Sequence, residues 1–263
     1  MPKSGIGVTS MWRIGALAVI LVAASLAAPR ANAQQISVMS AGAAKEAVLP
    51  LTEAFAKRTK AEVAIDFGTM GLIQDKLKKG ETPDVLILSE EVAAALAAAG
   101  TIRRETIRPL TRVGIGVAVA TQAPSPDISN ADAFRRTLLA ATSIVMIDPA
   151  RGTSGKHLVE VYARLGITDA LKPKMRYGPG GYIVEPVGRG EVELGLHQIS
   201  EILPVKGVKL VGPLPPELQK WTTYVAAITP SSKVGEVAAA LIDDLASPQA
   251  RATYLSKGFV LAE

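Results

Sequence analysis

Short apolar runs alternate with amphipathic stretches along this chain, and the two periods separate strands from helices. Residues 36–39 predict a strand, and Val48, Leu51, Thr52 and Phe55 recur at helical spacing over residues 45–57. Residues 61–66 alternate apolar and polar positions, placing Val63, Ile65 and Phe67 on one face. Leu72, Ile73 and Leu77 mark a second helix that Gly80 ends. Val85, Leu86, Ile87 and Leu88 form a buried run, after which Ser89 N-caps a helix that Gly100 stops. This βαβαβα order predicts a parallel sheet covered by helices. In open sheets of that kind ligands sit beyond the carboxyl ends of the strands. The turns carrying Ser40 and Gly42, and then Thr69, occupy two such ends.

The second half repeats the pattern less regularly. Residues 112–120 are strongly β, interrupted by Gly114 and Gly116, and residues 131–140 read as a helix. A glycine-rich turn at 178–182 precedes a helix predicted to include Ile183 and Val184 and to finish near Gly190. Residues 194–198 and 208–211 read as strands, with a helical turn at 200–203 between them. Pro213, Pro215 and Pro216 stiffen a loop before a strand at 221–228. Helices at 231–245 and 249–256 close the chain.

Chemistry concentrates in residues 143–158. The apolar run Ile144–Ile147 is broken by Asp148 and Pro149, and a loop with Gly152, Thr153, Ser154 and Gly155 opens a helix with Leu158, Val161, Tyr162 and Leu165 on one face. Such a strand, turn and helix start aims backbone N–H groups and the positive end of a helix dipole at one point, which suits a small anion. Arg151, Lys156 and His157 add donors nearby. An ordinary capped connection, with Thr153 or Ser154 satisfying helix N–H groups, fits the same letters. His157 and Lys45 read as helix-surface residues, and Met39, Met70 and Met146 as core or pocket wall.

The first 33 residues read as an address. Lys3 and Arg13 precede an apolar run at 14–28, and Ala31, Asn32 and Ala33 form a small-residue cleavage site. The run is short of the roughly 20 apolar residues a membrane-spanning helix needs. Cleavage after Ala33 predicts a periplasmic product of 230 residues. The whole chain carries 29 Lys and Arg against 24 acids, but the leader takes Lys3, Arg13 and Arg30 and no acid, leaving 26 against 24, or +2. That balance, without a basic run interleaved with aromatics, argues against nucleic acid. There is no cysteine, hence no lipid-attachment thiol, and two separated histidines build no zinc pattern. Neither a metal nor a cofactor is expected, and a monomer is. No Gly-x-Ser-x-Gly elbow or phosphate-binding Gly-x-x-x-x-Gly-Lys loop occurs.

Several motifs together carry a resemblance. They are the strand start at Ile36 with its small-residue turn, Phe67-Gly-Thr-Met, Lys79-Gly80-Glu-Thr-Pro83-Asp84, and Asp148-Pro149 with Gly155 after it. Leu194-Gly195-Leu196 and Ser247-Pro248-Gln249-Ala250 with Gly258-Phe259 complete the set. In this order they resemble the periplasmic molybdate-binding proteins, substrate-binding subunits of ABC importers, over nearly all of residues 35–260. The resemblance implies an α/β, two-lobed type II periplasmic binding protein. Each lobe is then a mixed, mostly parallel sheet flanked by helices, with two crossover strands joining them. Residues 112–120 and 222–228 are the candidate crossings, lobe one being 34–112 plus 226–263 and lobe two 113–225.

In that family, hydroxyls and backbone N–H groups hold a tetrahedral oxyanion. By position, Ala43 stands where the family has serine, Thr69 keeps a hydroxyl near a second serine, and Ser154 stands where it has alanine. Gly180 or Gly181 supplies the next N–H, and Gln198 replaces the usual tyrosine, with His197 beside it. The candidate ligand-binding set is therefore Ser40, Gly42, Thr69, Arg151, Ser154, Gly181, His197 and Gln198. A guanidinium fork suits a carboxylate better than a compact dianion, which brings in organic di- and tricarboxylates.

Two functions follow. The first is an exported solute-binding protein that captures a small oxyanion or carboxylate between its lobes, closes by hinge motion and passes it to the membrane subunits of an ABC importer. The second is an enzyme on the same scaffold. Aconitate isomerase, an exported enzyme interconverting cis- and trans-aconitate, resembles this family; on that reading His197 is the candidate base and Arg151 the carboxylate clamp.

Overall fold

The computed structural model describes residues 35–262. The leader and its cleavage site lie outside the described residues. Twenty elements follow in order: β1 (Gln35–Ala41), α1 (Lys45–Thr59), β2 (Glu62–Gly68), α2 (Met70–Lys78), β3 (Val85–Ser89), α3 (Glu90–Ala98), β4 (Arg108–Val113), β5 (Ile115–Ala120), α4 (Ala131–Ala140), β6 (Ile144–Ile147), α5 (Thr153–Arg164), α6 (Thr168–Leu171), β7 (Met175–Gly178), α7 (Glu185–Gly188), β8 (Leu194–Gln198), α8 (Ile199–Ile202), β9 (Val208–Pro213), β10 (Thr222–Ile228), α9 (Gly235–Leu245) and α10 (Arg251–Ser256).

The strands form two five-stranded sheets, ordered β2-β1-β3-β10-β4 and β7-β6-β8-β5-β9. In each sheet four strands run the same way and one, β10 or β5, runs against them, pairing antiparallel on both sides. Strand sequences match their surroundings. Every residue of β3 and β5 is buried, as expected of near-continuous apolar runs covered on both faces, whereas the alternating β2 is a half-exposed edge. One core joins the first sheet to α1, α3 and α9; two others cover the two faces of the second sheet. Gly80 and Gly100 end their helices with φ of +90° and +71°, a conformation that suits glycine because it has no Cβ.

The chain passes between sheets at two places. β4 belongs to the first sheet and β5 to the second, so one crossing is at Gly114. The return differs from the expectation that residues 222–228 cross. β10 lies wholly in the first sheet, paired with β3 and β4, and the crossing is made by residues 214–221. Prolines in that segment lack ladder donors, so a side chain does the pairing. The Gln219 amide accepts from the Ile115 N–H at 2.9 Å and donates to the Ile115 carbonyl at 2.8 Å. A Cβ on Gly114 would lie 2.9 Å from Gln219 Nε2 and 3.2 Å from the Trp221 ring, so a larger residue there would push on the Gln219 side chain that joins the two crossings.

Smaller departures have local causes. The helix expected from Ile183 is one turn starting at Glu185, with Pro186 in the first turn where its missing N–H is no loss. The helix expected from residue 231 starts at Gly235, and residues 248–250 form a 3₁₀ turn before α10. Ser89 occupies the N-cap position of α3, but its hydroxyl makes no capping bond.

Candidate functional site

Four strand-to-helix turns and one glycine loop meet at the carboxyl ends of β1, β2, β6, β7 and β8. They enclose a cavity of about 330 Å³, lined among others by Gly42, Ala43, Lys45, Thr69, Thr153, Ser154, Gly181, Tyr182, His197, Gln198, Glu201 and Tyr224. That volume is at the lower end of small-molecule sites.

Each turn presents a different donor. After β2, the Thr69 hydroxyl accepts from the Leu72 N–H at 3.2 Å and so caps α2. After β6, the N-cap of α5 is Gly152, which offers no side chain; the first-turn N–H groups of this twelve-residue helix have no side-chain cap, and Thr153 and Ser154 line the cavity. Lys45 is the first residue of α1, and helical side chains lean toward the N-terminus, which brings this ammonium to the cavity and 5.5 Å from the Tyr182 ring centroid.

The floor of the cavity holds a buried acid and base. His197, at 0 % exposure, has Nε2 3.0 Å from the Gly181 carbonyl oxygen and 3.0 Å from Glu201 Oε2. A carbonyl oxygen only accepts, so Nε2 carries the hydrogen. Nδ1 is buried without a partner, as is Gln198 Oε1. Glu201 is 6 % exposed, and its Oε1 lies 3.5 Å from where a Cβ on Gly42 would stand. Gln198 Nε2 donates to the hydroxyls of Thr153 and Thr222 at 3.4 and 3.3 Å.

Two phenols border the acid. Burial pushes the Tyr182 hydroxyl up to about 12, and its hydrogen bond to Glu46 and the charges of Glu46, Glu201 and Glu185 add to this. Burial also raises the Tyr224 hydroxyl, with the charge of Glu201 assisting and a hydrogen bond with Thr153 opposing. Both remain O–H donors at neutral pH.

Of the eight residues singled out in the sequence, Gly42, Thr69, Ser154, Gly181, His197 and Gln198 line this cavity. Ser40 does not: it is fully buried on β1, its hydroxyl 3.3 Å from the Ala41 carbonyl oxygen. Arg151 does not either. The turn at Asp148, whose carbonyl accepts from the N–H groups of Arg151 and Gly152, sends the guanidinium outward. It lies 4.0 Å from Asp148 Oδ2 and lines a second hollow with Gln74, Glu91, Lys156 and Lys220. His157, read as surface, is part-buried with Nε2 2.7 Å from the Leu218 carbonyl oxygen.

Sequence reasoning missed Glu201 and Tyr224 and set Lys45 aside. The signal for Lys45 was its place at the first residue of a helix after a cavity turn. Glu201 gave a weaker one: a carboxylate in the single helical turn behind a strand end.

Contacts between the turns of the two sheets are extensive. The Gly71 N–H donates to the Arg151 carbonyl, the Tyr182 hydroxyl to Glu46, and the Ser200 hydroxyl to the Ala43 carbonyl at 2.7 Å. A Cβ on Gly180 would lie 2.5 Å from Thr69 Cγ2.

Paired five-stranded sheets joined by two crossings, with donors from both converging on one cavity, define a solute-binding protein. The chain belongs to the bacterial extracellular solute-binding protein family, whose model matches residues 36–260. It is 31% identical over 240 residues to an aconitate isomerase of Pseudomonas sp, covering 89% of this chain and 91% of that protein. It is 24% identical over 243 residues to the molybdate-binding protein of Escherichia coli (strain K12), covering 88% and 91%. The periplasmic molybdate-binding protein of Azotobacter vinelandii has the same fold, with a TM-score of 0.73 at 18% identity over 87% of this chain and 100% of that one.

Proposed function

We propose that this chain closes on a small organic anion bearing several carboxylates and isomerises it, as the name of its Pseudomonas relative describes, by interconverting cis- and trans-aconitate. One observation carries this reading. The same cavity that offers Lys45, hydroxyls and the uncapped start of α5 also contains a buried carboxylate, Glu201, whose Oε2 lies 3.0 Å from His197 Nε2. A cage for a compact inorganic dianion gains nothing from a carboxylate beside the guest, since like charges at close range repel. A site that moves a proton on carbon needs such a group. The 31% identity to the isomerase over most of both chains supports the same reading.

Export accompanies it: the leader is cleaved after Ala33 and the product works in the periplasm. The two lobes, expected from the sequence at 34–112 plus 226–263 and at 113–225, are hinged where the chain crosses at Gly114 and at 214–221, which puts Val113 and 222–225 with lobe one.

A second reading has its own support. The family works in ABC importers, and a cleft lined largely by hydroxyls, glycines and N–H groups suits capture and delivery of an anion. Thermal shift with molybdate, sulfate, citrate, tricarballylate and both aconitates, followed by the absorbance of aconitate over time, separates the two. A guest at 100 times its Kd adds about 2.7 kcal/mol of stability. Stabilisation by molybdate alone removes the carboxylate reading; stabilisation by the aconitates without turnover leaves the importer reading.

A further inference from the structure

The sequence pointed to His197 as the base. The structure gives reason to move that role. Nε2 donates to the Gly181 carbonyl and also lies 3.0 Å from Glu201 Oε2, and Nδ1 is buried. Glu201 is placed differently. Its Oε2 contacts the imidazole, while Oε1 lies beside Gly42, a residue of the opposite sheet that lines the same cavity as Glu201 itself. One oxygen is thus against His197 and the other against the cavity-lining glycine across from it.

Resting on the isomerase reading above, we propose that Glu201 is the proton-transfer group for the bound tricarboxylate and that His197 is a positioning residue that holds and charges it. The step balances without a co-reactant. Glu201 as carboxylate takes a proton from the methylene carbon of aconitate: that C–H bond breaks and an O–H bond forms on Oε1. The freed pair becomes the new C=C bond, and the old π pair moves to the former vinylic carbon. That carbon takes the proton back from Glu201, so O–H breaks and C–H forms. Nothing is oxidised or reduced. The two carbons flank one central carbon, so a single carboxylate on one side of the guest reaches both.

The surroundings suit each part of the step. Charge that spreads onto the guest's carboxylates meets the Lys45 ammonium and the uncapped N–H groups at the start of α5. The groups that face Glu201 from the packed elements are His197 from β8, Tyr224 from β10 and Tyr182 from the loop after β7, with Lys45 from α1 on the same cavity. Both phenols stay protonated at neutral pH and can donate to the guest. Because Glu201 is 6 % exposed, the abstracted proton is shielded from water and returns to the substrate.

The test uses the full mature chain with cis- and trans-aconitate. E201Q is expected to keep guest binding by calorimetry and to lose kcat by about 10²–10⁴-fold, the usual contribution of general acid–base transfer. E201D, which sets the carboxylate back by one methylene, is expected to retain part of the rate. H197L is expected to lower kcat with KM little changed, since the carboxylate loses the neighbour that orients it. H197Q, which keeps an N–H donor, is expected to restore most of kcat. Aconitate deuterated at the methylene is expected to deliver label into the product methylene in ordinary water. Isomerisation by E201Q at the parent rate overturns the Glu201 assignment alone. Parent protein that binds both aconitates without converting them overturns the isomerase reading and the assignment together. If E201Q does not fold, the label decides on the parent chain: retention supports a shielded single carboxylate, and complete loss to water overturns it.

Discussion

The amide of Gly71 donates to the carbonyl oxygen of Arg151 at 3.1 Å, joining the first turn of α2 to the loop before α5. The first belongs to a turn after the first sheet and the second to a turn after the other, so the bond ties the two sheets' turns together beside the cavity. A Cβ on Gly71 would stand 3.2 Å from Arg151 Cα and 3.3 Å from the Ala150 oxygen. These are backbone neighbours that do not rotate away. G71A is therefore expected to disfavour closure by the usual overpacking cost of about 1–3 kcal/mol. Guest affinity should fall about 5- to 150-fold with little change in secondary structure, as calorimetry and circular dichroism would show.

Arg151 itself supplies that bond from its backbone, and its side chain points to the second hollow. R151A is expected to leave guest affinity within about threefold of the parent, because surface guanidiniums paired at long range contribute roughly 0–1 kcal/mol. A tenfold or larger loss in titration calorimetry would return Arg151 to the guest-binding set.

Lys45 is the ammonium at the cavity wall. Replacing it by methionine keeps much of the stem's apolar bulk and removes the charge. Hydrogen bonds to charged groups contribute about 1.5–3 kcal/mol, so K45M should weaken carboxylate binding by about 10- to 150-fold. The loss should be larger for a tricarboxylate than for a monocarboxylate of similar size, measured by competition at fixed ionic strength.

Glu91 on α3 bridges Lys156 on α5 at 3.6 Å and Lys220 on the return crossing at 3.5 Å. The charge of Lys220, then that of Lys156, holds its carboxyl below the ordinary 4.5, with slight burial opposing. A carboxyl lowered in the folded state stabilises it fully above its ordinary value and loses that contribution as pH falls through the lowered one. Thermal melts from about pH 6 to 3 should therefore show E91Q converging on the parent at the acid end. The difference above pH 5 should be under about 1 kcal/mol, because the side chains are exposed, and it should shrink at high salt.

Much of the fold was legible because it depends on local period. The run from Val85 to Leu88 could only be a strand covered on both faces, and α4 falls where Ala131 to Ala140 has its apolar spacing. Less was legible where two distant segments share one task. The return crossing was read onto residues 222–228 because they look like a strand, and they are one. Which sheet a strand joins depends on its partners, and Tyr224 to Ile228 pair with β3. At the site, the turns carrying Gly42, Thr69 and Ser154 stood out by their small and hydroxylated residues, whereas Arg151 drew attention by its charge. A guanidinium's direction is fixed by the turn beneath it, and the backbone bonds to Asp148 that turn it away are invisible in the letters.

By itself the sequence determined that strands and helices alternate and that their turns are rich in small and hydroxyl-bearing residues, because those properties follow from spacing along one chain. Its motifs also resembled the periplasmic molybdate-binding proteins, and the chain belongs to the extracellular solute-binding protein family. Only the tertiary structure decided that Glu201 stands beside His197 and across from Gly42, because that depends on how α8 docks behind β8 and on how the turns of the two sheets close over one another. A carboxylate four residues past a histidine is unremarkable on paper; buried with its other oxygen against a glycine of the opposite sheet, it becomes a group that can exchange a proton with whatever the cavity holds.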